Sequence, residues 1–126
     1  MTKLAQNFYL DEFRCHDGTP VPDDLLDNVK ELAENLQVLR DEIGTPVHLL
    51  SGYRTPAWNK KVGGKPASFH MKAMASDITT ATLTPRQLHS VIEKLIKLGR
   101  MKQGGLGLYS GFVHYDVRGE AARWFQ

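Results

Sequence analysis

Ser68-Phe69-His70-Met71-Lys72-Ala73-Met74-Ala75-Ser76-Asp77, taken with Val113-His114-Tyr115-Asp116 much further on, is the part of this chain whose reading decides its fold and chemistry. The first stretch spaces a His and an Asp seven positions apart, and the second supplies another His. Two imidazoles and one carboxylate are a common ligand set for a catalytic zinc, whose fourth position is left to water. Side chains alternate along a strand. Phe112, His114 and Asp116 therefore share one face, while Val113, Tyr115 and Val117 share an apolar one. Ionisable groups on a strand face need solvent or a partner, and a metal is such a partner. Asp77 likewise interrupts the strand-like run Ala75 to Thr80. Taken singly, either Asp is better explained by bonds to nearby backbone at a strand end. Joined to His70, the pair favours a metal.

The flanking sequence supplies a scaffold. Phe8 to Phe13 reads as a short packed turn or helix. Val21-Pro22-Asp23-Asp24 leads into a long helix on which Leu25, Leu26, Val29, Leu32, Ala33, Leu36, Leu39 and Ile43 form one apolar stripe. Acids crowd its first turn, and Gly44 is a natural stop. Pro46 to Ser51 reads as a buried strand. Thr55 caps a helix that begins at Pro56 and ends near Gly63-Gly64. Thr84-Pro85 opens a second amphipathic helix with Leu88, Val91, Ile92, Leu95 and Leu98 on its core face. Leu106 to Tyr109, Ser110-Gly111 and Phe112 to Val117 read as a β-hairpin. Gly104-Gly105-Leu106-Gly107 lacks the spacing and the following helix of a nucleotide loop. In the tail, Trp124 and Phe125 are expected to dock on the core.

Composition narrows the classes. A chain of 126 residues fits one domain over 1–126, large enough to bury a core without staples. The formal charge of +2, with acids interspersed among the lysines and arginines, gives no case for a nucleic-acid partner. The single cysteine, Cys15, excludes an intrachain disulfide. Cys15-His16 offers too few thiols for zinc-ribbon chemistry. No segment approaches the roughly 20 apolar residues of a membrane span. The first residues have no apolar run for a signal peptide. The expectation is cytoplasmic synthesis, with any export through a holin, lysis or a virus particle.

Zinc held by such a set lowers the pKa of a water to about 7. A nearby carboxylate can then take the proton and pass it to the leaving amine. A cation beside the scissile carbonyl stabilises the developing oxyanion. Arg54, in a turn just past a strand, suits that role by sequence. A surface salt bridge explains it equally well on spacing alone.

The pattern Ser68-x-His70-x-x-Ala73-x-Ala75-x-Asp77 closely resembles the Ser-x-His-x-x-Gly-x-Ala-x-Asp signature of the M15 peptidases. That family comprises zinc D-Ala-D-Ala carboxypeptidases, dipeptidases and L-alanyl-D-glutamate endolysins, related in fold to hedgehog signalling domains. Ser51-Gly52-Tyr53-Arg54-Thr55-Pro56 resembles its Tyr-Arg turn, and Gly111 to Gly119 resembles the His-x-Asp ending of its compact subfamily. The resemblance implies an α+β fold, with a small antiparallel sheet carrying the site and helices packed behind it. It implies that His70, Asp77 and His114 hold Zn²⁺. Arg54 would bind the substrate carbonyl or carboxylate, with Tyr53 beside it, and Ser68 would contact substrate or brace the metal loop. The implied partner is a peptidoglycan stem peptide, and a monomer is expected.

Two positions depart from the family pattern. Ala73 stands where the signature has Gly. A positive φ there would strain Ala, whereas a need for close packing alone would tolerate one methyl; the second reading is preferred. Gly111 stands where many members carry an acidic base, three residues before the last His. Asp116 is then the nearest candidate base, though it can instead orient a ligand imidazole or be a ligand itself. A zinc-containing wall-binding module without catalysis is the alternative function. A metal-free domain is a third.

Overall fold

The structure is a computed structural model and describes residues 2–126. Its architecture follows from one apolar sheet face and two amphipathic helices. Strands β1 (Lys3–Ala5) and β2 (Phe8–Tyr9) pair as a short antiparallel ribbon, followed by a 3₁₀ turn over Leu10–Phe13. A second 3₁₀ turn, Asp23–Leu25, leads into α1 (Leu26–Ile43). The helix buries Val29, Leu32, Ala33, Leu36 and Leu39, the central members of the expected stripe. It stops at Gly44, whose φ of 71° is a left-handed cap, with its N–H bonded to the Arg40 carbonyl. β3 (His48–Ser51) follows, then α2 (Pro56–Lys61), capped by the Thr55 hydroxyl on the Trp58 N–H. β4 (Ala75–Thr79) leads to α3 (Pro85–Lys97), where Thr84 and Gln87 form a reciprocal capping box. β5 (Gly105–Leu108), β6 (Val113–Asp116) and β7 (Ala122–Phe125) complete the chain.

The main sheet has five strands in the order β3-β4-β6-β5-β7. Every pairing is antiparallel except β5 with β7, which is parallel. Register fixes the two faces. Ile78, Val113 and Leu108 align, as do Ser76, Tyr115 and Leu106. These residues join the core with α1 and α3. Burying a side chain such as Leu106 or Ile78 stabilises by about 1.5–3 kcal/mol, so the helix-facing side holds the domain together. The opposite face carries a second row: Ser51, Asp77, His114, Gly107 and Trp124, one residue from each strand.

The α+β class and the β5–β6 hairpin agree with expectation, and four details do not. The sheet is mixed, because the tail adds a parallel strand where only docking was expected. Arg123 drives this, with a two-pronged bond to Glu93 on α3 at 2.9 and 3.0 Å. Neither Trp124 nor Phe125 docks on the helix-packed core: Trp124 is half-buried on the opposite sheet face, and Phe125 is 70% exposed. β3 is an edge strand rather than a buried one, with His48 and Leu50 exposed. Leu98 lies just past the last turn of α3 and is exposed rather than on the core face.

Candidate metal centre

The loop before β4 is built to deliver one imidazole. The Ser68 hydroxyl accepts the His70 N–H at 3.2 Å and so caps a 3₁₀ turn over Phe69–Lys72. Ala73 ends that turn at φ 55°, ψ 31°, in the left-handed region. It is the sole non-glycine with positive φ among the described residues. The preferred reading of Ala73 is thereby corrected: the position demands positive φ, which is why glycine suits it. The left-handed residue reverses the chain, so that β4 starts at Ala75 and sets Asp77 opposite His114.

His70, Asp77 and His114 are brought together and buried, with one ligating atom from each lying within 4.8 Å of the others. His70 Nε2 is 3.3 Å from Asp77 Oδ2, and His114 Nδ1 is 3.3 Å from Asp77 Oδ1. His70 Nδ1 lies 2.7 Å from the Gly52 carbonyl. A carbonyl can only accept, so Nδ1 donates to it and Nε2 is left facing Asp77, its lone pair free for a metal when the ring is neutral. His114 Nε2 lies 2.6 Å from Asp116 Oδ2, which leaves Nδ1 as the atom facing Asp77. In a tetrahedral zinc site with bonds of roughly 2.0–2.1 Å, ligand atoms stand about 3.3 Å apart. The donor types and the tautomers fit a zinc ion; the two 3.3 Å spacings run to different Asp77 oxygens, and one atom from each residue lies within 4.8 Å of the others.

Asp116 is fully buried and surrounded by donors. Its Oδ1 accepts from the backbone N–H groups of Gly105 and Arg118 and from Arg118 Nε, at 2.8, 3.1 and 2.9 Å. Its Oδ2 accepts from His114 Nε2 and from Arg118 Nη2 at 2.8 Å. Burial works to raise this carboxyl, but the hydrogen bonds of His114, Arg118 and Gly105 outweigh it and hold it well below the usual carboxylate range. Asp77 behaves alike: burial opposes ionisation, and His114 and His70 overcome it. Burial disfavours the charged His114 imidazole, while Asp116 and Asp77 pull its pKa above the ordinary value.

Arg54 reaches the same cluster. Its Nη2 is 3.4 Å from Asp77 Oδ2, its Nε 3.4 Å from the Ser51 hydroxyl, and its Nη1 3.2 Å from Asn59 Oδ1. Asn59 is itself buried and donates to the Lys65 carbonyl at 2.9 Å. A Cβ on Gly64 would collide with the Asn59 side chain. Tyr53 does not join the site. It is 6% exposed and part of the core, its phenol pushed up by burial. Cys15 is buried with its thiol 4.0 Å from the Thr55 hydroxyl, and His16 bonds the Leu50 carbonyl.

Several contributors escaped the sequence reading: Asn59, the Gly52 carbonyl, Arg118 and Trp124. One signal for them was present. A Cβ on Gly104 or Gly105 would strike Asp116, and one on Gly107 would strike Trp124. Two glycines in β5 and one just before it mark the close approach of other groups.

Fold and cluster define an α+β protein with a buried His-Asp-His group able to hold a metal ion. The Peptidase M15 family profile matches residues 6–116, and the chain belongs to that family. No curated protein sequence matches it. No helix among the described residues is long and apolar enough to cross a membrane.

Proposed function

We propose that this chain is a zinc-dependent peptidase that hydrolyses peptide bonds of peptidoglycan stem peptides, in a single hedgehog/DD-peptidase-like domain. The bond is of the D-Ala-D-Ala carboxypeptidase or L-Ala-D-Glu endopeptidase type, and the setting a phage or prophage lysin or a wall-remodelling enzyme. The observation that carries the reading is the buried His70–Asp77–His114 group inside the residues matched by a peptidase family.

His70 Nε2, His114 Nδ1 and the Asp77 carboxylate would hold the ion. Zinc bound there supplies Lewis acidity, which polarises a carbonyl and acidifies water. The protein's own residues do the rest. The Gly52 carbonyl fixes the His70 tautomer, and Asp116 fixes that of His114. Asp116 is accordingly the orienting partner rather than the base, because each of its oxygens is already occupied by donors. Arg54 has five N–H groups, of which three are engaged by Ser51, Asn59 and Asp77. The remaining two can meet the substrate carbonyl or carboxylate. Ser68 braces the metal loop through its bond to the His70 N–H.

A non-catalytic zinc module of the same fold is favoured by one observation, the exposed Gly111 at the position where the resemblance puts an acid in many members. A single experiment separates the two. Zinc-loaded protein is incubated with defined muropeptides and the products are weighed by mass spectrometry. Cleavage supports the peptidase; tight zinc binding and pelleting with murein without cleavage supports the module. His70→Ala should abolish zinc binding and cleavage together, and wild-type-like hydrolysis by that variant would refute the proposal.

A further inference from the structure

Trp124 lies beyond the residues matched to the peptidase family, on the edge strand that the sequence did not announce. Register places it in the same cross-sheet row as the metal group, since Trp124 pairs with Gly107 and Gly107 with His114. Gly107 has no side chain, and a Cβ there would run into the indole. The indole therefore lies across the glycine and meets the imidazole, with ring centroids 4.9 Å apart. Its Nε1–H is anchored on the Tyr109 hydroxyl at 2.9 Å, and Tyr109 is in turn stacked on Phe112 at 4.3 Å. The Arg118 guanidinium sits 4.4 Å from the Phe69 ring and 5.6 Å from the Trp124 ring. That same Arg118 grips both oxygens of Asp116.

Trp124 thus touches both halves of the device that aims His114: the imidazole itself and the arginine holding its carboxylate partner. We infer that Trp124 is a positioning residue for the His114 ligand, seated by Gly107, and that the C-terminal strand is part of the metal centre. The inference rests on the zinc reading above. An imidazole tethered at Nε2 alone can still rock about that bond. The indole, tilted 52° to the imidazole and in contact with it, restricts that motion, so Nδ1 stays directed at Asp77.

The test measures zinc affinity by competition with a chromophoric chelator, and the visible absorption of the cobalt-substituted protein. Trp124→Ala should weaken zinc binding about tenfold, the low end of what partners behind a ligand contribute. It should also alter the cobalt bands, which report ligand geometry. Gly107→Ala keeps the tryptophan but displaces it and should show the same two changes. Trp124→Phe restores an aromatic face and should recover most of the affinity. Ile92→Ala, in the core of α3, controls for lost stability and should leave both readouts alone. Wild-type affinity and spectrum in both Trp124→Ala and Gly107→Ala would overturn the inference and leave the zinc reading standing. Wild-type protein that binds neither zinc nor cobalt would overturn both.

Discussion

Replacing Asp116 by Asn separates a base from an orienting group. The change removes a charge and keeps the shape. An amide can keep its oxygen toward the Gly105 N–H, the Arg118 N–H and Arg118 Nε, which now meet Oδ1. Its NH₂ must then face His114 Nε2 and Arg118 Nη2, which both donate. His114 escapes by moving its proton to Nδ1, the atom 3.3 Å from Asp77. That tautomer has no lone pair left for a metal. Arg118 meanwhile loses its ion-pair partner. Removing one partner of a buried pair costs about 3–5 kcal/mol. The Arg118 side chain keeps 24% exposure, which places the loss near the low end. The expected result is about 3 kcal/mol of lost stability in urea unfolding with chelator present. Zinc affinity should fall about 10–100-fold. A base would behave otherwise: turnover would drop about 10²–10⁴-fold, with stability and zinc affinity intact. That second pattern would refute the role assigned to Asp116.

Four further outcomes are expected. Ala73→Gly should change unfolding stability by under about 1 kcal/mol. Relief of left-handed strain, about 1–2 kcal/mol, is offset by about 0.4–1 of unfolded-chain entropy and about 0.8 for the lost buried methyl. Ala73→Val should cost about 3 kcal/mol in the same assay, since a branched side chain is forced into positive φ inside the core. Asn59→Ala should leave zinc affinity unchanged while lowering kcat/KM on muropeptides by about 10–100-fold, because Arg54 loses its aim; unchanged kinetics would show that Arg54 is held without it. Burial lowers the pKa of His89, whose Nε2 is enclosed without a partner and whose ring lies against Phe125. Its neutral form therefore stabilises the fold above about pH 6.5, and this is lost as pH falls below that value. The Tm of His89→Leu should accordingly decline less than that of the wild type between about pH 7 and 5, and parallel declines would exclude the effect.

Much of the fold was readable because local chemistry and periodicity coincide. The α1 stripe, the Thr55 and Thr84 caps and the β5–β6 hairpin all depend on neighbours within a few residues. The edge status of β3 was not readable. A short apolar run has the same composition in the middle of a sheet as at its edge. The seventh strand was hidden for a related reason: Ala122–Phe125 becomes a strand through Arg123 bonding Glu93 on a distant helix. The role of Ala73 turned on a backbone angle, to which a one-letter code is blind.

The residue types of the site can be read from the order of the chain alone. The spacing of His70 and Asp77, and the alternation that puts His114 and Asp116 on one strand face, follow from covalent geometry. The surroundings that set each group's part come from the folded chain. Whether a carboxylate accepts a proton or holds an imidazole depends on which donors surround it, and those of Asp116 come from Gly105, His114 and Arg118. The same holds for Trp124, which reaches His114 because the strand between them carries a glycine. Hydrogen-bond saturation and side-chain contact are properties of three-dimensional neighbours, and register between strands sets those neighbours.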